Sequence, residues 1–371
     1  MLQVKLWRHF DLILLVVIII LIALGVMMIY SASFSTPDAQ ESFSNTLFGR
    51  QLIYAGLGLI LMVIAASIDY RIYGYVTPLL YGLMIALLAA VLLLGESTHG
   101  ARRWIDLAIF SMQPSEIAKL IFVVVLAKFL SDHREELKRF PFLLLSLLMA
   151  ALPAGLVYFQ PDLGTAIMFF AIWLGMVIII GVPWKRLGAL AVGGLLAVPF
   201  VYLVVLQEYM RQRLIAFINP ASDPLGAGYN ILQAEISVGS GGLLGKGFLH
   251  GTQSQLHFLR IQKTDFIFSV LGEELGFIGA LLLLGLFILL LFRGVRAANL
   301  ARDEFGKLIA TGVVVMILVQ VFINMGANLR LLPVTGVPLP LISYGGSSLI
   351  TVLIALGTLQ GVLIRQRKIE F

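Results

Sequence analysis

Three carboxylates stand at the head of a long apolar run. In QKTDFIFSVLGEELGFIG, residues 262–279, Asp265, Glu273 and Glu274 lead directly into ALLLLGLFILLLF. An ionised carboxylate is expensive in hydrocarbon, so acids placed there mark ion, proton or substrate sites by default. Two chemistries suit them. One is proton transfer to or from a hydroxyl, and the other is ligation of a hard divalent cation such as Mg or Mn through oxygen. On a helix running on from Asp265, roughly 100° per residue turns Glu273 about 80° and Glu274 about 180° away from it. Asp265 and Glu273 would then line one side of a cavity. Equally, Thr264 or Asp265 could simply cap the helix.

Other ionisable groups recur beside apolar runs. GARRWIDL, 100–107, carries Arg102, Arg103 and Asp106, and QPSEIAK, 113–119, follows. There Pro114 suits a first helical turn, and Glu116 and Lys119 share a face at i, i+3, either as a structural pair or as two site groups. QPDLGT places Asp162 before another apolar run, where an aspartate often serves as an N-cap. Arg211 and Arg213 in YMRQR read as anchors at lipid headgroups. VTGVPLPLISYGGSS, 334–348, contains Ser343 and prescribes irregular backbone, which membranes tolerate only where it lines protein or a wet cavity. The candidate substrate-binding set is therefore Arg103, Glu116, Lys119, Asp162, Glu273 and Ser343, around a catalytic Asp265. SGGLLGKG, 240–247, resembles a phosphate loop only faintly, with Ser240 and Gly247 at positions that need Gly and Ser or Thr. With no cysteine and five scattered histidines, thiolate chemistry and a histidine metal cluster are excluded.

The elements that must hold these groups are membrane helices. Of 371 residues 60% are hydrophobic and 12% charged, with mean hydropathy +0.99, against about 25% charged in a soluble domain. Apolar stretches of about the length a bilayer requires lie at 11–31, 51–68, 75–95, 114–130, 141–158, 164–181, 187–206, 268–292, 308–328 and 346–364. The expected fold is an all-α polytopic membrane protein of ten helices in one domain, 1–371. The first stretch is too long for a signal-peptide core. Most of the 26 Lys and Arg residues fall in the termini and the even-numbered connections, so both termini are expected in the cytoplasm and Asp265 outside. The one long polar segment, 207–264, is an extracytoplasmic loop on this reading. The net charge of +6 belongs to this loop bias rather than to nucleic-acid binding.

At these motifs the chain resembles the SEDS family (shape, elongation, division and sporulation). GARRWIDL, QPSEIAK, QPDLGTA, the segment NPASDPLGAGYNILQAEISVGSGGLLGKGFLHGTQSQLHFL, TDFIFSVLGEELGFIG and LLPVTGVPLPLISYGGSS follow the family's order along essentially the whole chain. GTQSQLHFL favours its elongation branch. The resemblance implies a glycosyltransferase of the cytoplasmic membrane that polymerises lipid II into β-1,4 glycan strands and releases undecaprenyl diphosphate. It implies Asp265 of TDFIF as the essential carboxylate, with Glu116, Lys119, Asp162 and Arg103 at positions of important family residues. It further implies a class B penicillin-binding protein, a transpeptidase, as partner. A lipid II carrier and a non-enzymatic scaffold are the rival readings, and the clustering of motifs on one side of the membrane speaks against a carrier. Three departures fall near the site. Arg260 and Lys263 stand where the family pattern carries Pro and His, and Arg330 where a small or uncharged residue is commoner. Lys263, two residues from Asp265, is expected to favour its ionised form.

Overall fold

The computed structural model describes residues 9–34, 46–94, 96–98, 101–106, 111–223, 226–256, 258–259 and 262–366; Arg260 lies outside them. Among these, each expected span has a helix: α1 Leu12–Ser33, α2 Leu47–Ser67, α3 Thr77–Leu94, α4 Pro114–Asp132, α5 Phe140–Phe159, α6 Leu163–Ile180, α7 Trp184–Phe200, α8 Ile267–Leu300, α9 Glu304–Asn328 and α10 Gly346–Ile364. Eight are long and apolar enough to cross a membrane by length and composition. α3 is shorter, and α4 owes its polarity to Glu116, Lys119, Lys128 and Asp132.

Local chemistry sets the helix starts. Asp11, Thr46, Asp162 and Asp303 each accept an amide from the first turn of α1, α2, α6 and α9, and Pro114 opens α4, where its missing N–H costs nothing. α10 is the most enclosed span and α7 the most exposed. α10 packs tightly on α2, because a Cβ on Gly357 would lie 2.3 Å from the Met62 carbonyl oxygen. Small residues of this kind let membrane helices approach backbone to backbone.

Three features go beyond the sequence reading. Between α3 and α4 the chain forms a small antiparallel sheet, β1 Glu96–Thr98, β2 Ala101–Asp106 and β3 Ser111–Met112, in the order 1-2-3, with Ile105 opposite Met112. The segment 207–264 is largely helical, with helices at Glu208–Ile218, Ala227–Ser240 and Thr252–Gln255. Finally, α8 is broken at Gly276, whose φ of 66° and ψ of −164° are not helical.

That break explains the glycine-rich stretch 240–247. The amides of Lys246 and Gly247 donate to the carbonyls of Glu273 and Glu274 at 3.0 Å each, and those of Phe277 and Ile278 donate to Gly242 and Leu243 at 2.9 and 3.1 Å. The stretch is thus a backbone plug that satisfies the polar groups a broken membrane helix would otherwise leave unpaired. Contact is so close that a Cβ on Gly245 would meet the Glu274 carbonyl at 2.1 Å. No other residue fits there.

Candidate active site

Asp265 does not cap α8. The cap position is Phe266, without a side-chain bond, and the first-turn amide of Ser269 is taken by Asn328 Oδ1 at 3.1 Å. The peptide around Asp265 is instead held from three directions. Asn324 and Asn328, one turn apart on α9, both donate Nδ2 to the Asp265 carbonyl, at 3.1 and 2.8 Å. Ser343 donates its hydroxyl to the Thr264 carbonyl at 2.7 Å and accepts the Leu339 amide at 2.9 Å. The Tyr344 amide donates to the Lys263 carbonyl at 3.0 Å. With its backbone so fixed, Asp265 turns its carboxylate toward the loop before α10: a Cβ on Gly336 would lie 3.9 Å from Oδ2.

The same loop gathers the other groups. The start of α6 packs against it, since a Cβ on Gly164 would meet the Thr335 carbonyl and Val337 at 2.7 Å. Asp162 caps α6 through the Thr165 amide and hydroxyl, at 3.1 and 2.9 Å, and receives Gln113 Nε2 at 3.3 Å. Gln113 is tied to α10 through its amide and Ser347 Oγ, 3.0 Å apart. Arg213, from the helix Glu208–Ile218, donates to the Val334 carbonyl at 3.3 Å. Arg103, on β2, donates to the Gln160 carbonyl at 2.9 Å.

These placements set the electrostatics. Burial pushes the Asp265 carboxyl above the usual aspartate range; the Arg213 guanidinium, the Thr264 hydroxyl and Arg103 oppose the shift, and Asp162 adds to it. Arg213 and Arg103 are cations that offset the burial. The expectation of an Asp265 more acidic than usual is overturned, because desolvation outweighs the nearby positive charge. Arg213, read from sequence as a headgroup anchor, belongs to the site. So does Tyr209, which sequence reasoning missed. Its hydroxyl is pushed up to about 12 by burial, under the influence of Arg103, Arg213 and Asp162, and is buried without a hydrogen-bond partner among the described residues.

Glu116, in the first turn of α4, and Lys119 form a buried ion pair at 2.7 Å. Glu116 Oε2 has no further partner among the described residues. Glu273 is not beside Asp265 as the continuous-helix reading expects, because α8 begins only at Ile267 and Asp265 lies off its wheel. It is fully buried and faces the plug: Lys246 Nζ, Thr252 Oγ1 and the Gln253 amide meet Oε1 at 2.8, 3.1 and 3.0 Å. Its contacts fasten the short helix Thr252–Gln255 to α8. Glu274 accepts from Ser31 on α1. Arg330 turns outward and pairs with Glu235 at 3.2 Å.

Among the described residues no three His, Cys, Asp or Glu side chains gather as a metal cage. A Mg or Mn ion at this place would have Asp265 as its protein ligand and would draw the rest of its shell from water and substrate oxygens, a manner of binding that Mg favours.

The arrangement offers a fixed carboxylate with raised basicity, flanked by two arginines, at the junction of several membrane helices. The profile of a family described as a cell cycle protein family, FtsW/RodA/SpoVE, matches residues 11–368. The chain is 41% identical over 356 residues to the Escherichia coli peptidoglycan glycosyltransferase MrdB, covering 95% of this chain and 93% of that one. Its fold superposes on the rod shape determining protein RodA of Thermus thermophilus with a TM-score of 0.71 at 32% identity, covering 98% and 99% of the two chains. On a chain from a structure of a peptidoglycan synthase complex that coordinates polymerization and crosslinking, the TM-score is 0.82 at 34% identity, over 97% and 99%. The chain belongs to the FtsW/RodA/SpoVE, or SEDS, family and is a multi-pass membrane peptidoglycan glycosyltransferase.

Proposed function

We propose that the chain acts as one ten-helix unit that polymerises lipid II during cell elongation, with Asp265 as general base. The acceptor sugar hydroxyl gives its proton to Asp265 as its oxygen attacks the anomeric carbon of the donor. The bond from that carbon to the diphosphate breaks, and undecaprenyl diphosphate leaves. An α-linked donor and a β-1,4 product correspond to one displacement with inversion, and the activated donor makes ATP unnecessary. Arg103 and Arg213 offer positive charge to the departing diphosphate. Asp162, Glu116 and Lys119 line the remainder of the substrate path, while Ser343 and Glu273 act by holding backbone. The observation that carries this reading is Asp265 itself, fixed through its carbonyl by Asn324 and Asn328, free of any capping role and lying in the field of two arginines. Purified protein given lipid II in detergent is expected to yield a ladder of glycan chains on a gel. Lipid II crossing proteoliposome bilayers with no polymer formed would make the protein a carrier instead.

The charge bias of the connections supports placing 207–264, and with it Asp265, outside the cytoplasmic membrane. Ser222 is exposed in this segment and the chain has no native cysteine, so Ser222→Cys is expected to react with a membrane-impermeant maleimide in intact spheroplasts. Labelling only after lysis would reverse the orientation.

Likeness to a chain of a complex that coordinates polymerization with crosslinking supports a class B penicillin-binding protein as partner, and likeness to a rod shape determining protein supports the elongation role. Polymerisation by the isolated chain is expected to be slow and to rise on adding that transpeptidase. An unchanged rate with the partner bound would remove activation from the proposal.

A further inference from the structure

A pocket lies at the opposite end of the bundle from Asp265, where the start of α1 meets the ends of α8 and α10. Its volume is about 300 Å³, and its walls include His9, Asp11, Ile13, Arg293, Arg296 and Leu363. Its frame is rigid. Arg293 Nε donates to Asp11 Oδ2 at 2.7 Å, while Asp11 Oδ1 caps α1 through the Leu14 amide at 3.0 Å. Gln360 of α10 bonds both the amide and the carbonyl of Asp11, at 3.1 and 2.9 Å, and Gln366 Nε2 sits 2.9 Å from His9 Nδ1.

Asp11 cancels only one of the two arginines. The Arg296 side chain is exposed and makes no ion pair or hydrogen bond among the described residues, so the described walls, Asp11 against Arg293 and Arg296, carry one net positive charge. Immediately beside it, the outer faces of two spanning helices are apolar and uncovered: Leu12 and Ile13 of α1 are 67% and 52% exposed, and Phe292 and Val295 of α8 are 64% and 47% exposed. A ligand matching both halves carries an anionic head and apolar tails.

We infer that this pocket binds an anionic phospholipid, its phosphate on Arg296 and its acyl chains along Leu12, Ile13, Phe292 and Val295. Basic pockets between membrane helices recognise such headgroups, and the neighbouring leaflet supplies the ligand. Arg293 is committed to its ion pair and shapes the site, so Arg296 carries the selectivity.

The test uses the full chain in nanodiscs of mixed phosphatidylglycerol and phosphatidylcholine, released into the gas phase for native mass spectrometry. The wild type is expected to retain phosphatidylglycerol over phosphatidylcholine. Arg296→Gln should lose that preference about fivefold, the size of one arginine's attraction to an anionic surface, while still making glycan at the wild-type rate. Millimolar inorganic phosphate added before release distinguishes the sources: retention unaffected by phosphate supports a lipid, and displacement by phosphate overturns it in favour of a simple anion site. Equal retention of the two lipids by the wild type, or an unchanged preference in Arg296→Gln, also overturns it. Should Arg296→Gln not fold, Arg296→Lys keeps the charge without the planar fork and is expected to retain a reduced preference.

Discussion

Asp265→Asn is expected to reduce polymerisation of lipid II to near background while leaving a folded, membrane-inserted protein that still binds its transpeptidase. The substitution keeps the side chain's shape, and the bonds that fix this peptide go to its carbonyl rather than to its carboxylate. What it removes is the proposed base, and losing general-base assistance typically costs about 10²- to 10⁴-fold in rate. Asp265→Glu retains a trace of activity only where the longer arm still reaches the acceptor hydroxyl. A pH profile separates this role from a structural one. A general base must be ionised to accept the proton, and burial raises the pKa of Asp265. The acid limb of kcat/KM therefore falls as pH drops through a value above the usual aspartate figure of about 3.9. Arg213 is the largest influence opposing that rise, so Arg213→Gln should move the limb to still higher pH. Near-wild-type polymerisation by Asp265→Asn would transfer the catalytic role to Asp162 or Glu116.

The spans were legible because about 20 apolar residues per crossing is a strong constraint that little else in a sequence imitates. α10 begins and ends where the apolar pattern places it, at Gly346 and Ile364. The N-cap at Asp162 and the Glu116–Lys119 pair follow from spacing alone, since both are contacts within one helix turn. The parts that stayed hidden depend on distant chain segments. Nothing local to Gly276 says that the helix breaks there, because the 240–247 plug supplies the missing hydrogen bonds from more than 25 residues away. That single break, with the late start of α8, removes Glu273 from the side of Asp265. Arg213 and Tyr209 lie in a polar segment whose helix faces the site only once the 333–337 loop is in place. Asn324 and Asn328 did carry a local signal: two amides one turn apart in an apolar helix, where hydrogen-bonding capacity is retained only for a partner.

The double exchange Glu116→Lys with Lys119→Glu is expected to restore stability without restoring activity. Each residue is about 1% exposed and their charged atoms are 2.7 Å apart. Removing one partner leaves an uncompensated charge among apolar helices, which costs about 3–5 kcal/mol, so Glu116→Gln and Lys119→Met should each lower the thermal midpoint. The exchange keeps the pair at i, i+3 and recovers most of that loss. It does not recover all of it, because the new lysine sits in the first turn of α4, where the helix dipole favours an acid. Activity follows a different rule. If the pair only neutralises itself, polymerisation returns with the thermal midpoint. If Lys119 meets the donor diphosphate and Glu116 a separate substrate group, the exchange puts each charge at the wrong end of the site. The variant then folds, binds its partner and makes no glycan, and that is the expected result. Polymerisation recovering in step with stability would reduce Glu116 and Lys119 to a structural pair and leave Asp265, Arg103, Arg213 and Asp162 as the charges that act on substrate.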